Sequence, residues 1–181
     1  MRFSVGDKVL YPSRGAGTIV DTDHSELVDG FADYYVIKID SQRLTLRVPM
    51  SKAEELGLRR VMSRRKLSHI WATLSAPPSP LPDDFKKRQE QIREMLRSGQ
   101  PLVIAEAVRD LTCRQVRSYL TKADERLLAQ GRGSLVDEVA LVLDKDTAEA
   151  EQLLDNALAV HITAASDAAP AGAPAGAVDG R

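Results

Sequence analysis

The heptapeptide at 82–88, PDDFKKR, sets an aromatic ring beside three cations at a predicted helix start. Asp83 and Asp84 are helix-capping types, so Phe85 falls in the first turn and Lys86, Lys87 and Arg88 follow at once. This grouping suits DNA. The cations can neutralise phosphates while the flat ring wedges against a base step in the minor groove. A second arrangement stays open: Ile92 and Leu96 continue a helical stripe from Phe85, which would pack the ring into a bundle. The polar Arg88 and Gln89, one turn on, favour an exposed ring.

Other groupings that could do chemistry are weaker. His24, His69 and His161 are far apart in sequence and have no acid or cysteine at ligand spacing. One cysteine, Cys113, cannot build the usual tetrahedral zinc site and fits a reducing compartment. Its expected role is that of a small buried helix residue. Gly15-Ala16-Gly17 lacks the lysine-serine/threonine ending of a phosphate loop and is read as a turn into a strand. The carboxylate pairs Glu54-Glu55 and Asp83-Asp84 sit at predicted helix starts, where they complement the dipole. The chain is therefore read as a non-enzyme without cofactor or metal.

Charge sharpens the reading. The net charge is −1, yet residues 1–75 and 83–132 each carry +3, and residues 134–181 carry −7. A mildly basic body with an acidic end implies weak, salt-sensitive and sequence-tolerant DNA binding. The first residues, MRFSVG, lack the apolar core of a signal peptide, and no apolar run is long enough for a membrane helix. A cytoplasmic chain without a membrane partner is expected.

These residues need elements to hold them. Val5, Val9 and Leu10 supply apolar strand positions, with a turn at Gly6-Asp7 and an end at Tyr11-Pro12. Further strands are expected over 18–23, 33–40 and 43–49. Short strands with Gly/Pro punctuation predict a small SH3- or Tudor-like barrel. In the strand LTLRVP, Leu44, Leu46 and Val48 share one face, while Thr45 and Arg47 point to the other.

Beyond the barrel, Ser51 and Glu54 have capping-box spacing and predict a short helix ending near Gly57. A helix over 63–74 places Leu67, Ile70, Trp71 and Leu74 on one apolar stripe. The stretch APPSPLP at 76–82 is a stiff connector. Helices then follow over 84–98, over 101–119 with Leu102, Ala105, Val108 and Leu111 inward, over 122–143 and over 147–160. Gly131 and Gly133 predict a kink or break in the longest of these. From 163 onward the Ala/Pro/Gly-rich sequence reads as a disordered tail. The fold class is α+β: a barrel domain over 1–75, a connector over 76–82, an all-α bundle over 83–162 and the tail over 163–181.

The segments VGDKVLYPSRGAG, YYVIKI and LTLRVP, in this order, resemble the N-terminal polymerase-interacting domain of the bacterial CarD/CdnL transcription regulators. PPSPLPDDFKKR, IAEAVRDL and the helix after Thr121 extend the resemblance over roughly residues 1–160. It implies a monomer whose barrel binds the RNA polymerase β subunit through Arg47 and Thr45. It also implies that Phe85, Lys86, Lys87, Arg88, Lys122 and Arg126 contact promoter DNA at the upstream edge of the bubble, with the protein nucleoid-associated through the polymerase. Phe85 stands where relatives carry a wedging tryptophan. Glu90 and Glu125 stand where lysine is frequent, and Thr112 where an aromatic is common. A polymerase-binding adaptor whose helices engage another protein is the alternative.

Overall fold

The computed structural model describes residues 2–12, 14–28 and 31–167. Its first unit is a five-stranded antiparallel sheet of β1 (Lys8–Tyr11), β2 (Gly15–Val28), β3 (Phe31–Ile39), β4 (Leu44–Pro49) and β5 (Arg59–Arg60), in the order β4-β3-β2-β1-β5. Alternation along the strands sends Val9, Ile19, Ile37, Ile39 and Val48 into one apolar core, joined by Phe3, Tyr35 and Leu58. β2 and β3 run longer than their apolar alternation suggested, and register shifts interrupt their pairing after Ile19 and after His24. Val5 lies in the turn before β1 and is exposed, so it is not a strand position. No helix forms over 51–57. A 3₁₀ turn at Met50–Lys52 and successive tight turns instead bury Ala53 against the sheet core.

Five helices follow: α1 (Arg64–Ser75), α2 (Phe85–Arg97), α3 (Pro101–Arg117), α4 (Lys122–Leu143) and α5 (Thr147–Asp167). Leu67, Ile70 and Leu74 of α1 are buried, and Trp71 packs partly against the same core. That core is the helical one, shared with Ile92, Leu111, Leu135 and Leu154. α1 therefore packs with the bundle, although the sequence reading groups it with the strands. Leu102 is exposed, while Ala105, Val108 and Leu111 face inward as their spacing predicts.

α4 runs unbroken through Gly131 and Gly133. At Gly131 a side chain would lie 2.9 Å from Val108 and 3.1 Å from Leu96, so the missing Cβ admits close helix packing and does not break the helix. α5 extends to Asp167, so the expected tail over 163–167 is helical; the remainder of that expectation, 168–181, lies outside the described residues. Among the described residues no helix is long and apolar enough to cross a membrane.

The two units meet where β1, β2 and β5 face α4. Arg59 donates both arms of its guanidinium to Glu138, at 2.8 and 3.0 Å, and also bonds the Gly99 carbonyl. Glu138 is 1% exposed and accepts the Met62 amide as well. Lys8 bonds the Leu141 carbonyl at 2.6 Å and pairs with Asp144. Close contact at Gly15 completes the seam. Its φ of +94° suits glycine, and a Cβ there would meet the Asp137 carboxylate at 2.6 Å.

Candidate nucleic-acid interface

The start of α2 is set by Asp84, whose carboxylate accepts the amides of Lys86 and Lys87 at 2.9 Å each. This N-cap puts Phe85 at the first helical position, with no preceding turn to cover it. Phe85 is 50% exposed, and Lys86 and Lys87 are exposed beside it. The ring is on the surface and not in the bundle, although Ile92 on the same helix is fully buried.

Arg88 is a correction to the sequence reading. It is 2% exposed, so its charge does not face solvent or a phosphate. Its guanidinium donates to the Pro82 and Asp83 carbonyls at 2.9 and 3.0 Å, and to Asp124 Oδ2 at 2.8 Å. Gln89 turns inward too and donates to Thr121 Oγ1 at 3.1 Å. Polarity alone suggested that these positions were exposed. Both side chains have hydrogen-bond partners inside the protein, as buried polar residues require.

Asp124, fully buried, also closes the capping box of α4. Its carboxylate accepts the Thr121 amide, and the Thr121 hydroxyl accepts the Asp124 amide. Burial pushes the Asp124 carboxyl up. The hydrogen bonds from Arg88 and Thr121, with the Arg88 charge, outweigh that and hold it below the ordinary aspartate range. The same pair thus fixes the connector in front of Phe85 and the N-terminus of α4. Lys122 and Arg126 are exposed on the first turns of α4. Lys122 pairs with Glu125 at 2.9 Å, and that hydrogen bond raises its ammonium pKa.

A second polar clamp lies in the segment IAEAVRDL, where adjacent Arg and Asp give no local signal of burial. Arg109 and Asp110 are buried and bonded to each other at 2.8 Å. Asp110 accepts the Ser79 amide at 2.9 Å, while Arg109 reaches the Ser79 hydroxyl and the Thr73 carbonyl. The proline connector is thereby strapped to α3, and Arg114 holds Asp83 at 3.2 Å. Thr112 is buried, its hydroxyl without a hydrogen-bond partner among the described residues, and it borders an open groove of about 520 Å³.

Arg47 and Thr45 lie elsewhere. Both are exposed on β4, which pairs with β3 and, among the described residues, forms an edge of the sheet. Leu44, Leu46 and Val48 take the other face, as alternation requires. Arg47 pairs with Asp23 at 3.2 Å, and half its side chain remains in water. The candidate residues therefore form two surfaces. Phe85, Lys86, Lys87, Lys122 and Arg126 belong to one end of the helical unit, and Thr45 and Arg47 belong to the sheet edge.

Two family models match this arrangement. Residues 3–62 match the CarD-like/TRCF RID domain, and residues 69–155 match the CarD C-terminal domain. The chain belongs to the CarD family. The first match ends just after β5 and the second begins inside α1, so the break between them falls where the sheet core gives way to the helical core. A protein of Bacillus subtilis (strain 168), named "Putative transcription factor YdeB", is 26% identical over 140 residues, covering 77% of this chain and 92% of that protein. For a CarD-family chain, the exposed surfaces just described are the places to seek partners.

Proposed function

We propose that this chain is a transcription regulator that stabilises the open complex of RNA polymerase at promoters. Its sheet docks on the polymerase β subunit through the β4 edge, with Thr45 and Arg47 in the contact. The helical end presents Phe85 to the upstream edge of the bubble, and Lys86, Lys87, Lys122 and Arg126 to the neighbouring phosphates. The observation that carries this reading is Phe85, exposed at a helix start that a buried ion pair holds fixed.

The mechanism is one of differential binding. A factor that does no chemistry shifts an equilibrium only by the difference in its affinity for the two states. A ring against a parted base step, with cations on the adjacent phosphates, meets the melted form better than the closed one. Few cations and no base-edge reader give weak, sequence-tolerant DNA contact. Tethering through the polymerase supplies the effective concentration that this contact lacks.

The Lys122–Glu125 pair favours a second reading, in which the helical end engages a protein, because it reduces the positive field there. Fluorescence anisotropy with a forked promoter fragment, titrated at several salt concentrations, separates the two. The DNA reading predicts weak binding whose logarithm falls linearly with log salt, with a slope of roughly −3 to −4 for four phosphate contacts. Absent or salt-independent binding would favour the protein partner.

A further inference from the structure

The end of the helical unit that carries Phe85 carries a second exposed ring. Tyr119 lies in the link between α3 and α4, with 74% of its surface in water. Among the described Phe, Tyr and Trp side chains, Phe85 and Tyr119 are the exposed ones. Three contacts bring their supports together. Arg114 in the last turn of α3 holds Asp83, Gln89 holds Thr121, and Arg88 holds Asp124.

The Tyr119 ring stands on a fixed backbone. On one side the Ser118 amide donates to the Arg114 carbonyl at 2.8 Å. On the other, Leu120 is buried in the helical core and Thr121 caps α4. Pinned at both ends, the link displays the ring and does not fold it onto nearby apolar surface. An aromatic ring ordinarily gains by burial, so one held outward suits a planar partner.

Its surroundings are cationic. Lys122 follows Tyr119 by three residues and is exposed, as are Arg117 and Arg126 on the flanking helix ends. Cations that follow a phosphate backbone, beside a ring on which a base can stack, are the composition of a single-strand platform. A base pair inside a duplex hides both its faces, so an unpaired base reaches such a ring without the cost of unstacking.

We propose that Tyr119 is a stacking platform for an unpaired base of single-stranded DNA, set beside the Phe85 wedge. This inference rests on the DNA-facing role proposed above for the same end. It assigns the second ring to the melted strand and the first to the paired edge.

Anisotropy titrations of the full chain test it, using a forked fragment with one single-stranded arm and a fully paired fragment of the same sequence. Tyr119→Ala should weaken binding to the fork by roughly five- to a hundred-and-fiftyfold, the range that loss of one base–aromatic stack gives. Its binding to paired DNA and its salt slope should match those of the unsubstituted chain. Tyr119→Phe should bind the fork normally, because the ring remains. Tyr119→Leu, which keeps bulk without a ring, should behave as alanine does, and it decides the matter if the alanine variant melts early. Normal fork binding by Tyr119→Ala and Tyr119→Leu, alongside a weakened Phe85→Ala, would overturn this inference alone. An equal loss on both DNAs, or a Tyr119→Phe as weak as alanine, would also overturn it by assigning the residue to phosphate. Failure of the unsubstituted chain to bind either DNA would remove this inference together with the proposed DNA role.

Discussion

Two arginine–aspartate pairs in this molecule share their chemistry and differ in their surroundings. Arg88 and Asp124 meet at 2.8 Å inside the helical unit, while Arg47 and Asp23 meet at 3.2 Å on the sheet surface. Water screens the second pair, and an exposed pair is worth about 0–1 kcal/mol. A partner's carboxylate can therefore replace Asp23 at little cost. The first pair has no such freedom. Removing one member leaves a charge in a dry interior, so the pair serves geometry and not recognition. A cation's role thus follows from where its guanidinium ends, and not from its place in a basic run.

The largest effect should come from breaking the buried pair. Arg88→Ala should lose about 3–5 kcal/mol of stability, measured by denaturant unfolding, because Asp124 is left unpaired. The Asp124 carboxyl titrates lower in the folded chain than in the unfolded one. Its contribution is therefore complete above the unfolded value and is lost as pH falls through the folded one. The gap between Arg88→Ala and the unsubstituted protein should narrow on that same descent. A gap that persists unchanged in acid would mean that packing, and not charge, carries the cost.

On the exposed pair the expectation reverses. Arg47→Glu should melt at nearly the same temperature, yet bind the polymerase β subunit about 2 kcal/mol more weakly, or roughly thirtyfold. Retention of β by the folded variant, in a pull-down or a titration, would remove Arg47 from the contact.

A third aspartate sharpens the contrast. Asp137 at the seam accepts the Ser41 hydroxyl at 3.1 Å, and burial pushes its carboxyl up, only partly offset by that bond. A raised folded value means that ionisation opposes folding above it, and that acid relieves the cost. Asp137→Asn should raise the melting temperature slightly at neutral pH, on the order of 1–2 °C. The gain should vanish in acid, where Asp137 is itself protonated. A loss of stability at neutral pH would show that the carboxylate is needed across the seam.

Much of this was readable from local rules. The cap at Asp84, the alternation of β4 and the apolar stripe of α1 depend on neighbours within a few residues, and the structure keeps them. What failed depends on distant partners. Arg88 looked like one more surface cation until Asp124, in another helix, appeared against it. Gly131 looked like a breaker until Val108 and Leu96 filled the space beside it. α1 looked like the end of the strand unit until its stripe found the helical core. The capping spacing at 51–54 was a true local signal, overridden by turns that bury Ala53 against the sheet. The exposure of Phe85 could not be settled from its stripe, because one turn later the helix buries Arg88 and Gln89, and polarity had suggested the opposite.

If an exposed ring on a rigid helix start acts on melted promoter DNA, its loss must shorten the life of the open complex. The most direct test is the lifetime of a competitor-challenged open complex with the unsubstituted chain and with Phe85→Ala. The ring is half in water, so the alanine variant should keep its melting temperature and its binding to the polymerase β subunit. The unsubstituted chain should lengthen the lifetime, and Phe85→Ala should forfeit that gain several-fold or more, in keeping with about 1–3 kcal/mol for an aromatic against a base. A stable Phe85→Ala that prolongs the open complex as fully as the unsubstituted chain would show that the ring does not act on melted DNA.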